Sequence, residues 1–291
     1  MTPSVRELTP PGGQRAGRSA VVALGRASAP LRVEPTFLLV GAQRAGTTSL
    51  FRALLEHPNV LRPNLHKGVN YFDVNYGRDW SWYLGHFPLK ATARRCRPPG
   101  RQQAEIFEAS GYYMFHPHAA TRIAERLPEV RIVAMVRDPV ERAYSAYKHE
   151  FARGFETETF ERALDLEDAR VEPELQHMLD DPKYQSNTYR HQAYRRRGRY
   201  AEQLQRFADL IGRERIHVIE SERFFAAPGK QFVGLLDFLE LPRRLPQSFD
   251  QFNARPGTPI SPSVESRLFE YFRPHDVALT DFLGRPPVWS S

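Results

Sequence analysis

The sequence predicts an α/β fold in which a central, mostly parallel sheet is flanked by helices, giving three layers. Three short apolar runs, residues 36–40, 131–136 and 215–219, each adjoin a stretch of helical periodicity. Runs that are apolar throughout are typical of strands buried on both faces. Strands that alternate with helices form parallel sheets with right-handed crossovers. No repeat or linker divides this pattern, so we expect one α/β core.

Residues 1–34 are predicted to form a mobile basic tail ahead of a single domain at 35–291. The segment is rich in Pro, Gly, Ala, Ser and Arg and lacks sustained periodicity. Its arginines could bind an anionic surface, and a solvated leader without function is the alternative. Truncation of the tail is expected to be tolerated.

Composition excludes several classes of protein. Of the 291 residues, 41% are hydrophobic and 26% are charged, and the longest apolar runs, such as 37–40, are too short to span a bilayer. The single cysteine, Cys96, excludes an internal disulfide and a multi-thiolate metal site. The first residues lack the apolar stretch of a secretory signal, so we expect a cytoplasmic protein without a membrane span. The net charge of +7 predicts anionic partners.

The first strand, 36–40, leads into a loop that is suited to bind an anion. This loop covers residues 41–49, and a helical pattern over 49–57 follows it until Pro58. Backbone N–H groups and a helix N-terminus can surround a phosphate in this context. The glycine spacing matches that of a phosphate-binding P-loop. A generic strand-to-helix turn is the alternative.

The loop departs from an ATP-binding P-loop at its cation. Thr47 occupies the position at which a Walker A loop carries Lys, and Arg44 lies three residues earlier. In NTPases that lysine and a magnesium ion together neutralise the β- and γ-phosphates, which a threonine cannot do. A transferred sulfuryl group carries only one negative charge, so hydroxyls, backbone amides and one cation could stabilise it without a metal. A small-molecule kinase of the P-loop class is the disfavoured alternative.

The second strand, 131–136, leads into a second candidate anion site. Asp138 is suited to cap the helix that follows this strand. Arg137 precedes the helix and Ser145 lies two turns inside it, so both could reach one anionic group, such as a 3′-phosphate. Arg137 could equally pair with Asp138 or Glu141 at the surface.

The remaining elements continue the alternation of strands and helices. The helix after the second strand is expected over 139–150. The third strand, 215–219, is preceded by an amphipathic helix over 200–211 and followed by a helix near 232–239. Residues 155–199 are charged and poor in aliphatic side chains, and we expect helical insertions around the active site there.

Taken together, the two anion motifs resemble those of the sulfotransferase family that uses 3′-phosphoadenosine 5′-phosphosulfate (PAPS). Segments 70–73 and 136–147, and the pairs 82–83 and 87–88, are most similar to the heparan-sulfate and bacterial carbohydrate branch. The resemblance implies transfer of the sulfuryl group from PAPS to a hydroxyl or amine of a carbohydrate or natural-product acceptor, with release of 3′,5′-ADP. It also implies a P-loop-like fold and no metal requirement. Separately, we expect no nucleic acid partner and no membrane span. A nucleotide-binding scaffold that has lost catalysis is the non-enzymatic alternative.

The resemblance also assigns residues to the two ends of PAPS. Arg137 and Ser145 are assigned to the 3′-phosphate. Arg44 is expected to bind the phosphosulfate and to face the transferred sulfuryl group. Arg255 lies where related enzymes carry a basic loop over the nucleotide, although a solvated loop arginine is the alternative. Tyr200 is expected to pack in the core rather than approach the nucleotide. The phosphosulfate is assigned to one continuous stretch, Gln43, Arg44, Ala45, Gly46, Thr47, Thr48 and Ser49.

The catalytic base is the point at which the sequence departs from the family pattern. Related glycan enzymes carry Glu shortly before an aromatic–Phe pair, and that position is Gly68 here. The lysine that often follows the acid of the next motif is Ala109. Glu108 is therefore the first candidate for the base, and His66 is the second, since an unperturbed histidine titrates near neutrality. Lys67 is expected to support the bridging oxygen.

Three further features have competing interpretations. His116 and His118 could suggest a metal site, but a helix start is the preferred interpretation. The basic run 195–199 could attract an anionic acceptor or form a solvated helix face. Seven aromatic residues could line an acceptor cleft or pack in the core: Tyr71, Phe72, Trp80, Trp82, Tyr112, Tyr113 and Phe115.

Overall fold

The computed structural model describes residues 20–250 and 259–290, and its centre is one five-stranded sheet. The strands are β1 (Phe37–Gly41), β2 (Val60–Leu61), β3 (Glu105–Glu108), β4 (Arg131–Val136) and β5 (Ile216–Glu220). Their order in the sheet is β2-β3-β1-β4-β5, and every neighbouring pair is parallel. The predicted α/β fold with a central parallel sheet is confirmed.

The three predicted strands are all present. The strand predicted over 131–136 matches β4, whereas β1 and β5 begin and end one residue later than predicted. β1 is buried along its whole length, and β4 is buried from its second residue onward, as their apolar sequences require. β2 and β3 were not predicted. β2 has only two residues, and β3 begins and ends with glutamate, which hides its strand character.

Helices connect the strands, and the predicted helices are among them. The helix predicted over 200–211 has those bounds, and the region 155–199, where helical insertions were expected, contains two α-helices. A long C-terminal helix was not predicted. Residues 20–27 are helical (α1), and the other helices are α2 (Thr47–Leu55), α3 (Trp80–Leu84), α4 (Lys90–Arg95), α5 (Ala119–Arg126), α6 (Pro139–Ala152), α7 (Phe160–Asp180), α8 (Asn187–His191), α9 (Tyr200–Ile211), α10 (Ser221–Ala226), α11 (Pro228–Phe238) and α12 (Pro262–Leu283).

The strand order places the candidate site at the carboxyl ends of β1 and β4. From β1 the chain continues toward β2 on one side of the sheet, and from β4 it continues toward β5 on the other. Right-handed crossovers then put α2 and α6 on opposite faces. A crevice opens between adjacent strands whose helices diverge in this way, and ligands of open α/β sheets bind there. Both predicted anion motifs lie at this crevice.

The N-terminal segment differs from the predicted mobile tail over the residues that the structure describes. Within residues 20–34, Ala29 and Val33 are each only 3% exposed. The backbones of Gly25 and Gly85 approach so closely that a Cβ on Gly25 would lie 2.4 Å from the Gly85 carbonyl oxygen. Glycine at both positions therefore allows this segment to pack on the domain, which begins before the predicted boundary at residue 35. The predicted tail at residues 1–19 lies outside the described residues.

The described helices were also searched for membrane spans. Over residues 20–250 and 259–290, none of them combines the length and the apolar character that crossing a bilayer requires.

Candidate functional site

The loop between β1 and α2 leaves the start of α2 open to an anion. Arg44 and Gly46 both have left-handed backbones, with φ of 70° and 87°. Gly46 precedes the first residue of α2, and no side chain caps the helix there. The first N–H groups of a helix have no partner within the helix, so those of Thr47 and Thr48 are suited to bind an anion. The structure thus has a strand-to-helix loop at the predicted position, with the first N–H groups of its helix uncapped by any side chain.

Lys67 supplies a cation to this loop from a different segment. Its Nζ atom donates to the hydroxyl of Thr47 at 3.1 Å and to that of Thr48 at 3.2 Å. Burial lowers the pKa of Lys67 to about 8. The backbone beneath it is fixed, since the Ala109 N–H donates to the Lys67 carbonyl at 3.0 Å. Lys67 therefore places an amine beside the two threonines at the position where a Walker A loop carries its own lysine.

The two anion motifs meet through Arg44 and Ser145. The Nε atom of Arg44 donates to the Ser145 hydroxyl at 3.1 Å, although the residues are 101 positions apart. Ser145 lies on α6, and Asp138 caps this helix by accepting from the N–H of Val140 at 2.8 Å. The helix that follows β4 therefore begins at a capped end, and its residue Ser145 contacts the loop that follows β1. One bound molecule can contact both motifs.

Arg137 lies at the start of α6 and pairs with Glu141 at 3.1 Å. This is the surface pairing that the sequence left open as an alternative. Both side chains are partly exposed, and such pairs contribute only about 0–1 kcal/mol, so a phosphate can replace Glu141 at little cost. The Arg137 carbonyl accepts from the Tyr200 hydroxyl at 2.7 Å, and the Asp138 N–H donates to Glu222 at 3.0 Å. Tyr200 is buried, as expected, and holds the turn that carries Arg137.

Residues from distant parts of the chain support the anion loop, and the sequence analysis did not identify their role. The Ser221 hydroxyl donates to the Ala45 carbonyl. A Cβ on Gly46 would lie 3.2 Å from both the Phe225 ring and the Ser221 hydroxyl, so a larger residue would push these side chains by a few tenths of an ångström besides straining the left-handed backbone. The position of α10 could have indicated this role. α10 directly follows β5, so it begins at the same edge of the sheet as the anion loop.

Comparison with known proteins assigns this fold and site to a family. A family model described as the sulfotransferase domain matches residues 34–254, which include the anion loop, Lys67, Arg137 and Ser145. The chain belongs to the sulfotransferase family. The resemblance inferred from the two anion motifs is thereby confirmed. The kinase alternative has no support from this family assignment.

Similar proteins come from distant organisms. A bacterial sulfotransferase structure from Alicyclobacillus acidocaldarius has a TM-score of 0.65 and 28% identity, covering 88% of this chain and 98% of that one. The human bifunctional heparan sulfate N-deacetylase/N-sulfotransferase 3 is 34% identical over 121 residues, which are 40% of this chain and 13% of that protein. The membrane-associated sulfotransferase kil1 of Dictyostelium discoideum is 23% identical over 324 residues, covering 88% of this chain and 67% of the relative. The chain thus spans only a small part of its human relative.

The position of Glu108 does not fit the predicted role of catalytic base. Glu108 is fully buried at the end of β3. Its Oε1 atom accepts from the hydroxyls of Tyr83 and Tyr113, both at 2.8 Å. Its Oε2 atom accepts from the Val69 N–H and the Ser110 hydroxyl, both at 2.6 Å. Burial raises the pKa of Glu108, and these hydrogen bonds lower it. A base must reach the acceptor proton, whereas this carboxylate anchors the loop before α3 to the sheet.

The glycine at the expected position of the family base has a steric reason. A Cβ on Gly68 would lie 2.6 Å from both the Ala109 carbonyl oxygen and the Ser110 hydroxyl. Such a distance is too short for any side chain at this backbone position. Gly68 therefore allows the segment that carries Lys67 to pair with the end of β3, and a glutamate there would separate the two segments.

The other predicted site residues have different positions. His66 is exposed beside Lys67. The side chains of Ala45 and Ser49 are buried. Their predicted contact with an anion is therefore expected through backbone groups rather than through these side chains. Arg255 lies outside the described residues.

The basic run 195–199 is partly or fully buried and is not a solvated helix face. Arg195 pairs with Asp168 at 2.8 Å, and Arg196 pairs with Glu172 at 2.6 Å, so both tie the run to α7. Arg197 is 5% exposed and donates to the side-chain oxygen of Gln43 in the anion loop. The solvated-face interpretation was therefore wrong, because the partners of the run come from distant segments that the local charge pattern does not show. Attraction of an anionic acceptor stays a prediction.

The aromatic residues and the histidine pair are largely structural. Burial lowers the pKa of His116 to about 3, and α5 begins directly after His118, which confirms the predicted helix start. The structure describes no group of three or more His, Cys, Asp or Glu side chains suited to a metal within residues 20–250 and 259–290. Trp80 and Trp82 are partly buried against the core, and the others are buried: Tyr71, Phe72, Tyr112, Tyr113 and Phe115.

Proposed function

We propose that this protein transfers the sulfuryl group of PAPS to a hydroxyl or amine of a carbohydrate or natural-product acceptor, releasing 3′,5′-ADP. The observation that carries the proposal is the convergence of two anion motifs at one crevice. Arg44 of the loop after β1 contacts Ser145 of the helix after β4. A ligand with anionic groups at both ends fits such a pair of sites, and PAPS has a phosphosulfate at one end and a 3′-phosphate at the other.

The phosphosulfate would lie on the anion loop. The N–H groups at the start of α2, the hydroxyls of Thr47 and Thr48, and the ammonium group of Lys67 all face this position. PAPS supplies an activated sulfuryl group when it is bound. As the acceptor oxygen or nitrogen bonds to sulfur, the bond from sulfur to the 5′-phosphate oxygen breaks and negative charge accumulates on that phosphate. Lys67 and the helix start are placed to stabilise this charge.

The 3′-phosphate would lie at the start of α6. Arg137 supplies a charged donor there, and Ser145 supplies a hydroxyl. The exchange of Glu141 for the phosphate on Arg137 replaces a weak surface pair with a charge-assisted contact. This second contact lets the site distinguish PAPS from nucleotides without a 3′-phosphate.

The class of acceptor is proposed from the relatives. The names of the human and other bifunctional relatives specify heparan sulfate N-sulfotransferase activity. A carbohydrate acceptor is therefore the first choice, and a natural product is the second.

The proton acceptor is proposed from the exposure of the two candidates. His66 is exposed beside Lys67, whereas Glu108 is buried and already accepts four hydrogen bonds. We propose His66 as the proton acceptor. A cytoplasmic location stays a prediction.

Transfer of labelled sulfate from PAPS to a panel of glycan and phenolic acceptors tests the proposed function. We expect a labelled acceptor and stoichiometric 3′,5′-ADP without added metal. Turnover of ATP with magnesium, together with no binding of PAPS, would establish a kinase instead. Tight binding of 3′,5′-ADP without transfer to any acceptor would support the inactive scaffold.

Arg137→Ala should weaken the binding of 3′,5′-ADP by about 1.5–3 kcal/mol, the range of a hydrogen bond to a charged group. The affinity for 5′-AMP, which lacks the 3′-phosphate, should be nearly unchanged. Titration calorimetry with both nucleotides measures the difference. Arg153→Ala is a matched control, since Arg153 forms a similar ion pair with Glu150 at the far end of α6. Equal weakening of both nucleotides by Arg137→Ala would contradict the assignment.

The affinity for PAPS should decrease at alkaline pH because of Lys67. Its pKa is lowered to about 8 in the ligand-free protein, so the amine loses its charge as the pH rises through this value. An anion binds the charged form, so binding above this pH requires uptake of a proton. The dissociation constant should then rise by up to about tenfold per pH unit. Measurement of the dissociation constant between pH 6.5 and 9.5 tests this prediction. If the Lys67→Met variant shows the same rise at alkaline pH as the unmodified protein, another group causes the effect.

A further inference from the structure

The side chain of Gln43 in the anion loop is held by a buried arginine. The guanidinium of Arg197 donates to the Gln43 side-chain oxygen and to the Arg190 carbonyl. Arg197 is 5% exposed and lies over the rings of Tyr112 and Phe115, at 5.0 and 4.8 Å from their centroids. The charge is thus held against two aromatic rings and cannot move to another partner without opening the core.

This contact determines the orientation of the Gln43 amide. A guanidinium has donors and no acceptor, so the amide oxygen must face Arg197 and the amide nitrogen must point away from it. The side chain extends over Gly111, where a Cβ would lie 3.4 Å from the Gln43 Cγ atom. Gln43 is partly exposed, and its nitrogen donates to no acceptor within residues 20–250 and 259–290. The loop therefore presents two oriented N–H donors next to Arg44.

The cost of burying Arg197 indicates a specific role. Arg195 and Arg196 in the same run pair with carboxylates of α7. Arg197 forms no such pair with any residue that the structure describes, and burial lowers its pKa to about 10. Its two hydrogen bonds go to a neutral amide and a backbone carbonyl. A buried cation without a counterion is expensive, and here its direct effect is the position of one side chain in the anion loop.

We propose that Arg197 is a positioning residue that orients the Gln43 amide so that its nitrogen donates to the sulfuryl group during transfer. The inference rests on the proposed PAPS chemistry and adds a pair of residues to it. The oxygens of the sulfuryl group carry negative charge that shifts as the bond to the 5′-phosphate breaks. Donors oriented in advance stabilise that charge without reorganisation. Gln43 then affects turnover more than it affects cofactor affinity.

The experiment compares Arg197→Met, Gln43→Leu and the double variant. We expect each single variant to lower kcat by about 10–10²-fold, somewhat less than the loss of a full oxyanion-hole donor. The affinity for 3′,5′-ADP, which lacks the sulfuryl group, should change by less than about threefold. The double variant should be no slower than the slower single variant, because both substitutions remove the same donor. Arg197→Lys keeps a donor-only cation and should recover part of kcat.

Arg196→Met is the matched control, since Arg196 belongs to the same run but does not contact the anion loop. It should retain kcat. Additive losses in the double variant, or equal losses of kcat and 3′,5′-ADP affinity in Arg197→Met, would overturn the proposal. If Arg197→Met fails to fold, Gln43→Leu decides, because wild-type kcat in that variant also overturns it. Failure of the unmodified protein to bind PAPS would instead reject the proposed function.

Discussion

Replacing Lys67 with methionine should lower kcat by about 10²–10³-fold, the usual loss when a group that stabilises transition-state charge is removed. The substitution keeps most of the length and apolar surface of the side chain but removes the ammonium from the hydroxyls of Thr47 and Thr48. Charge that develops on the 5′-phosphate would then have only helix N–H groups, hydroxyls and Arg44 beside it. Initial rates of sulfate transfer at saturating PAPS measure the effect.

Lys90→Met is the control for this substitution. Lys90 is an exposed lysine that donates to the Pro30 carbonyl at 2.9 Å and does not contact the anion loop. Its replacement should leave kcat unchanged. Wild-type kcat for Lys67→Met would show that the loop does not depend on a cation from this segment.

Replacing Glu108 with alanine should lower the free energy of unfolding by about 3–5 kcal/mol, because four buried donors lose their acceptor. For a chain of this size the midpoint of thermal unfolding should decrease by roughly 6–20 °C. Two of these donors, the Tyr83 and Tyr113 hydroxyls, lie in the aromatic core and cannot turn toward water. Circular dichroism during heating measures the change.

Glu108→Gln separates this structural role from a catalytic one. Glutamine keeps the shape of the side chain and one acceptor oxygen, so part of the stability should remain. At a temperature well below unfolding we expect turnover within about tenfold of the unmodified protein, whereas loss of a general base would cost about 10²–10⁴-fold. A loss of that larger size in a folded Glu108→Gln protein would restore Glu108 as the base.

The elements that could be predicted are those whose own residues, within one short segment, show an apolar pattern or a helix cap. β4 is apolar at five of its six positions and ends where Asp138 caps the next helix, so strand and helix start could both be located. The anion loop combines glycines, hydroxyls and a strand-to-helix transition within nine residues. β3 has the opposite character. Its glutamates are acceptable in a buried strand only because distant groups neutralise or saturate them, as Arg131 does for Glu105 at 2.6 Å.

The same distinction applies to the candidate site. The assignment of Arg44 and Ser145 to anion binding could be made from local motifs, and the structure brings the two residues together. The buried position of Glu108 could not be predicted, because its four donors come from segments up to 39 residues away. The role of Arg197 could not be predicted either, since its partner Gln43 lies 154 positions earlier. Local sequence shows the type of a charged residue, whereas tertiary partners decide whether it is solvated, structural or functional.

The central claim is that the two anion motifs form one site for PAPS, and equilibrium binding of nucleotides tests it most directly. Calorimetric titrations would compare 3′,5′-ADP and 5′-AMP without metal, and ATP with magnesium. The account predicts that 3′,5′-ADP binds without metal and at least about tenfold more tightly than 5′-AMP, since a charge-assisted contact to the 3′-phosphate contributes 1.5 kcal/mol or more. Tight binding and turnover of ATP with magnesium, together with equal affinity for 3′,5′-ADP and 5′-AMP, would contradict it.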